Sequence, residues 1–366
     1  MPFNPGRLIL ARRRRAMTQT RLATECDIDA RNVRRYEAGD ASPSEETLTA
    51  IAGALKFPIA FFFGDAPAVL PPAAASFRSM STMTGIQAEC ALSAGALAVA
   101  VSDYLNQHLT LPVSDLPDLR GTEPEQAAKE LRSAWGLGNK PLPNLVHLLE
   151  VHGVRVFSLV DDCKAVDAFC ITHNDTPFVF LNTGKSAEHS RFDAAHELGH
   201  LVLGHAREST GERLGRDIER EAHRFAAAFL MPREDVLARA PKSINTESIV
   251  QAKRRWGVSA VALARRLYAL GLVREWHYKQ LCIEMSRRGY RTAEPDPGTR
   301  EQSQLLKKGF ELLKGQGIGR DDVARALSIE LHDLECLVFG LVMVPVSGEG
   351  HGTRRGRAAL TIVKGS

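Results

Sequence analysis

Over the first sixty residues the apolar positions fall in short runs at helical spacing, each opened by a small polar residue. Leu8, Ile9, Leu10 and Ala11 predict a first helix running into Arg12–Arg15. Thr18 offers an N-cap for a second helix, through Leu22 and Ala23, and Asp29 caps a third over 30–37 that Gly39 ends. Ser44 caps a fourth, containing Leu48, Ile51, Ala52 and Leu55, and Pro58 opens a last turn with Phe61, Phe62 and Phe63. Leu22, Ala23, Ile28, Val33 and Tyr36 should make a small core between the second and third helices. Proline and small residues then dominate, which reads as a linker.

Residues 87–109 are helical by spacing, with Leu92, Leu97, Val101 and Leu105 on one side, and helices follow over 123–135 and 144–149. The period then shortens. Runs rich in Val, Phe and Ile at 154–160, 166–172 and 178–181 read as strands, with 173–177 turning between the last two. Helical spacing returns over 192–205 and over 217–231, where Pro232 stops the helix. Ser259 caps 260–270, closed by Gly271. Residues 320–339 read as two helices around a turn, the second acidic (Glu330, Asp333, Glu335), which suits packing or dimerisation better than DNA reading.

The expected fold is therefore mainly α with a small sheet (α+β). Its parts are an all-α helix-turn-helix domain (5–64), a linker (65–86), a central domain with an N-terminal helical part (87–272), a C-terminal helical region (273–345) and a mobile basic tail (346–366). A chain of 366 residues can bury a core in each of two or three such parts.

Composition changes little: 44% hydrophobic and 25% charged are ordinary values. The apolar run from 91 to 101 is too short to span a bilayer, so no membrane is expected as a partner. Nothing near Arg12–Arg15 reads as a signal peptide. Six scattered cysteines (26, 90, 163, 170, 282, 336) form no C-x-x-C, which fits reduced thiols in a cytoplasmic protein. The net charge of +4 is mild, and residues 1–64 hold ten Lys and Arg against seven Asp and Glu.

The chemistry concentrates in His196-Glu197-Leu-Gly-His200. On a helix, His196 and His200 lie one turn apart on one face, where two neutral imidazoles can share a Zn²⁺ ion. Glu197 then lies beside the water on that metal as general base. Glu219 precedes Ala222 by three and Ala226 by seven, so it points to the buried side of its helix; Glu221 has a weaker claim. A carboxylate aimed at a core needs a cation. Two histidines and one glutamate leave the fourth position open, which is the catalytic pattern. His205 falls one position short of the third histidine of the extended metzincin pattern, and is expected to end the helix as a cation on its dipole.

Two resemblances join these readings. Arg12…Met17-Thr18-Gln19…Leu22-Ala23…Ile28-Asp29…Val33-Arg34-Arg35-Tyr36-Glu37…Gly39…Pro43-Ser44…Leu48…Ile51-Ala52…Leu55 resembles the XRE (lambda-repressor/Cro-like) helix-turn-helix family. That likeness implies a third helix in the major groove of a double-stranded DNA operator, bound as a homodimer. By position, Ala30, Arg31, Asn32 and Arg34 should read bases, while Gln19, Arg12 and Arg35 hold phosphates. His196-Glu197-Leu-Gly-His200 with Glu219-Arg-Glu-Ala222-His223-Arg-Phe225-Ala226…Leu230-Met231-Pro232 resembles the ImmA/IrrE-type metallopeptidases over about 142–272. This implies a gluzincin-like zinc peptidase (Mn²⁺ an alternative in activity) with Glu219 as third ligand. It further implies a protein substrate, commonly an XRE-type repressor cleaved in stress or mobile-element control. His223 departs from the Asn or Asp usual in that family, and with His277 and Tyr278 it is a candidate oxyanion stabiliser.

Two function classes follow. One is a DNA-tethered regulatory zinc endopeptidase, with its own linker near Pro71-Pro72 as another target. The alternative is a transcriptional regulator whose zinc domain senses a ligand or partner without proteolysis. Glu197 favours the first, because a structural metal site needs no base.

Overall fold

The computed structural model describes residues 2–70, 76–77, 84–159, 166–205, 215–338, 340–342 and 361–362. Helices α1 (Pro5–Arg14), α2 (Gln19–Glu25), α3 (Ala30–Ala38) and α4 (Glu45–Leu55) come first, closed by a 3-10 turn over Ile59–Phe63. The expected caps start three of them. Thr18 Oγ1 accepts from the Arg21 amide at 3.1 Å, Asp29 Oδ1 from that of Arg31 at 2.6 Å, and Ser44 Oγ from that of Thr47 at 3.2 Å. Gly39 ends α3 in the left-handed region, at φ 80°. Leu8, Leu22, Val33, Ile51, Leu55 and Phe61 are wholly buried between these helices.

Within the stretch expected as linker, Ser76–Phe77 forms a short strand, β1. Helix α5 (Gly85–His108) follows and differs from its one-sided expectation, since every residue from Cys90 to Val99 is buried. The reason is its position: α5 packs against α1 on one side and the sheet on another. By length and composition alone it could cross a membrane, but 67% of its most apolar window is buried inside the protein. An α-helix apolar all round suits such a core position.

After β2 (Leu109–Thr110), which pairs with Thr361–Ile362, come α6 (Pro124–Ala134) and α7 (Leu145–Val151). The strands β3 (Arg155–Leu159), β4 (Ala168–His173) and β5 (Thr176–Asn182) then build a sheet with β1, in the order β1-β4-β5-β3. β3 runs parallel to β5, and the other pairs are antiparallel. The β4–β5 turn is tighter than expected: Asn174 and Asp175, both at positive φ, make a two-residue connection, and His173 pairs with Thr176. Alternation splits the sheet between two cores. Phe157, Phe169, Phe178 and Phe180 join α1–α5 on one face, while Val156, Ala168, Cys170, Val179 and Leu181 join the motif helix on the other.

That helix is α8 (Ala187–Val202), capped by Ser186, and α9 (Gly215–Leu230) lies against it. Helices α10 (Arg233–Arg239), α11 (Thr246–Lys253), α12 (Ala260–Ala269) and α13 (Glu275–Arg287) complete the second core. Buried polar contacts fix the start of α8. Glu188 pairs with Lys253 at 3.1 Å, both nearly inaccessible, and Arg191 donates to the Leu142 carbonyl at 2.6 Å and pairs with Glu301.

Helices α14 (Gln304–Gly315), α15 (Arg320–Ala326) and α16 (Leu331–Val338) return to the first core. Among the described residues the chain is thus mainly helical, sixteen α-helices with one four-stranded sheet and the two-stranded pair at β2. The acidic second helix of this region packs inward. Asp333, 1% exposed, accepts from Arg15 at 2.6 and 2.7 Å and from Arg14 at 3.3 Å. Ser158 Oγ donates to the Cys336 carbonyl at 2.9 Å, so α16 bridges α1 and β3. Cys163, Pro71-Pro72 and the arginines of the basic tail lie outside the described residues.

Asp333→Ala should remove the buried carboxylate that Arg14 and Arg15 share. Breaking a buried pair in this way costs about 3–5 kcal/mol, and the loss should appear as a lower urea midpoint with an unchanged slope.

Candidate functional site

Helical periodicity brings His196 and His200 to one face of α8, 1% and 0% exposed, with Glu197 wholly buried between them in sequence. The face opposite them belongs to α9. It approaches closely because Gly199 has no side chain: a Cβ there would lie 2.9 Å from Phe225 Cδ1 and 3.3 Å from the Ala222 backbone. Phe225, Ala226 and Phe229 bury the inner side of α9, and this turns Glu219 toward the histidines. Its Oε2 lies 3.1 Å from His196 Nε2 and its Oε1 lies 3.4 Å from His200 Nε2.

The two Nε2 atoms are 3.0 Å apart, and the three ligand atoms all fall within 4.8 Å of one another. Two imidazoles and a carboxylate converging in this way could hold a metal ion. The donor set, buried on its histidine side and 30% exposed at Glu219, fits a divalent ion with an open position. Burial by itself would raise the Glu219 carboxyl, but hydrogen bonds and charge from His196 and His200 outweigh it and hold it well below the usual carboxylate range.

Three residues take positions that sequence reasoning did not give them. Cys170, read as a small core thiol, sits on the β4 face that meets α8. Burial, then the charge and a hydrogen bond of Glu197, push its thiol far above the usual range, so it stays protonated beside that carboxylate. Strand alternation could show which face Cys170 takes, but not its partner. His205 lies just beyond the end of α8, as expected, but it is 4% exposed and turned inward rather than left at the surface end of the helix. Its Nδ1 is 3.0 Å from His200 Nδ1, and its Nε2 is 3.3 Å from Glu221 Oε2. Glu221 thereby faces His205, whereas Glu219 faces the histidine pair. Of the three oxyanion candidates, only His223 reaches a motif ring among the described contacts, 6.0 Å from His196 by centroids. Tyr278 instead stacks on Tyr268.

A cleft of about 260 Å³ opens beside the histidines, walled by His200, Leu201, Gly204, Arg120, Thr172 and Pro177. Thr172 of β4 and Pro177 of β5 line it, and the outer side of β4 is taken by β1, Ser76 opposite Cys170 and Phe77 opposite Phe169.

The second candidate site is α3. Arg31, Arg34 and Arg35 are exposed, and no side-chain hydrogen bond or ion pair holds them among the described residues. Asn32 is half-buried, and Ala30 packs partly against the core. Gln19 donates to Glu37 at 2.6 Å. Arg12 is corrected: 7% exposed, it donates to Glu37 at 2.6 and 3.0 Å and to the Met17 carbonyl at 2.7 Å, so it locks α1 to α3 and is not turned toward phosphate.

Comparison with known families fits both sites. The helix-turn-helix family model matches residues 8–62, and the model of the IrrE N-terminal-like domain, a peptidase family, matches residues 149–268. The chain is an XRE-type helix-turn-helix fused to an IrrE-like peptidase domain. Comparison with curated proteins finds no match. The IrrE-like match opens within α7 and ends in α12, so it takes in the sheet, α8 and α9 with His196, His200 and Glu219. The helix-turn-helix match implies DNA binding, and the IrrE-like peptidase family is metal-dependent, with which a possible metal-binding triad of His196, His200 and Glu219 agrees.

Gly199→Ala should drive α9 away from α8 and weaken the site. The overpacking costs about 1–3 kcal/mol, and competition with a chromogenic chelator should record a lower Zn²⁺ affinity even where the fold is retained.

Proposed function

We propose that this protein is a DNA-binding, regulatory zinc metalloendopeptidase of the cytoplasm that cleaves a protein, an XRE-type repressor by its resemblance, and acts as a homodimer on its operator. The observation that carries this reading is the convergence of His196, His200 and Glu219 beside a wholly buried Glu197. When bound, Zn²⁺ (or Mn²⁺ in activity) supplies Lewis acidity and lowers the pKa of a water. His196, His200 and Glu219 hold it. Glu197 takes the proton of the attacking water and delivers it to the leaving amine. The Cys170 thiol, on the β4 face that meets α8, lies in the buried surroundings of the Glu197 carboxylate. An extended substrate pairs with β4 and lies across the cleft walled by His200 and Thr172. His223 is the best-placed oxyanion donor. On α3, Ala30, Arg31, Asn32 and Arg34 face base edges, while Gln19 and Arg35 face phosphate.

One observation favours a second substrate for the same activity. β1 belongs to the segment between the two matched families and pairs antiparallel with β4, the seat an added peptide strand would take. The linker is then a substrate in cis.

Glu197→Gln should lower cleavage of XRE-type repressors by roughly 10²–10⁴-fold while Zn²⁺ stays bound, whereas His200→Ala should lose the metal. Wild-type protein that binds Zn²⁺ and regulates its operator identically with Glu197→Gln would instead mark a sensor without proteolysis. Intact-mass analysis after Zn²⁺ addition checks the cis substrate: fragments ending within 65–86, absent in Glu197→Gln, are expected. Repressor cleavage without them would remove that reading.

For DNA, Arg31→Ala with Arg34→Ala should cost about 1–3 kcal/mol per lost base contact on duplexes selected from a random pool. Arg35→Ala should weaken all sequences alike and reduce the salt slope by about one.

A further inference from the structure

Beyond the metal cluster, the chain holds a second group of buried titratable side chains that the proposed mechanism does not use. His200 Nδ1 faces His205 Nδ1 at 3.0 Å, and His205 Nε2 faces Glu221 Oε2 at 3.3 Å. His200 and His205 are almost wholly buried, and the Glu221 side chain is 27% exposed. We propose that Glu221 and His205 form a hydrogen-bonded relay that sets the tautomer and ring orientation of His200, making them positioning residues for the metal; this rests on the metal reading above.

One proton arrangement satisfies every contact once His200 gives Nε2 to a cation. Its Nδ1 must then carry the hydrogen and donate to His205 Nδ1. His205 Nδ1 is therefore unprotonated, its Nε2 carries the hydrogen, and that hydrogen goes to the Glu221 carboxylate. A ligand histidine commonly gives its second nitrogen to a carboxylate or carbonyl. Here a second imidazole is inserted between ligand and carboxylate, and it spans the gap from the end of α8 to α9. This accounts for two features at once. His205 lies beyond its helix yet is buried, and Glu221 sits two residues from Glu219 without sharing its target. The positive φ of Gly204, 73°, turns the chain so that His205 comes back over His200.

The test uses the full chain with Zn²⁺ alone as probe, titrated against a chromogenic chelator. His205→Ala and Glu221→Ala should each weaken Zn²⁺ binding by roughly 10–100-fold. Glu221→Gln keeps an acceptor for His205 Nε2 and should restore most of the affinity. The double variant His205→Ala/Glu221→Ala should bind no more weakly than His205→Ala, because a broken chain cannot be broken twice. A readout that mere packing would not move is the exchangeable Nδ1 proton of His200. In Co²⁺-loaded protein it should give a hyperfine-shifted resonance, lost to solvent exchange in His205→Ala. Glu221, being partly exposed, can be replaced without emptying a core, so its variants test the relay even if His205→Ala fails to fold. Affinity unchanged within about twofold in Glu221→Ala, or losses that add fully in the double variant, would overturn the relay and leave the metal centre standing. Wild-type protein that binds no Zn²⁺ would overturn both.

Discussion

Two imidazoles and a carboxylate packed within hydrogen-bond distance in a protein interior must share a proton or a cation, and much of this chain is arranged to hold them there. Helix α8 supplies both rings by its own periodicity, with 0% or 1% of each exposed. Everything else needed comes from elsewhere in the chain. α9 must approach closely enough for Glu219 to span both rings, which Gly199 and Ala222 permit by their size. The start of α8 must not slide, and Lys253, Leu142 and Glu301 hold it through Glu188 and Arg191.

The sheet acts as a wall between two cores and as the floor of the cleft. Its phenylalanine face packs on α5, and its small-residue face packs on α8. Cys170 is on the second face, and its thiol meets Glu197. The side of β4 away from β5 is taken by β1, so an extended chain that paired with β4 there would have to replace β1. A backbone ladder selects extended chain without reading most side chains. Sequence preference in a substrate would then have to come from the walls of the cleft.

The N-terminal helices are not tethered to the rest by the linker alone. Their core continues into α5 and the C-terminal helices, and Asp333 ties Arg14 and Arg15 of the α1 end to α16. α16 in turn holds β3 through Ser158. A continuous path of buried contacts thus connects α1–α4 to the sheet that packs on α8.

By itself the sequence determined whatever depends on residues close in the chain. Caps at Thr18, Asp29, Ser44 and Ser259, the stop at Pro232, the one-turn spacing of His196 and His200, and the inward lean of Glu219 are all local, because cap geometry and helical period act over a few residues. Both family likenesses were legible for the same reason. Only the tertiary structure decided which groups would meet. Arg12, legible as one of four consecutive arginines, is buried against Glu37; His205, legible as a helix end, is folded back onto His200; Cys170, legible as a core thiol, faces Glu197. Glu221 is separated from Glu219 in role by the turn at Gly204 and the packing of α9. Side-chain pairing across elements depends on backbone positions fixed jointly by both cores, and no local pattern carries that information.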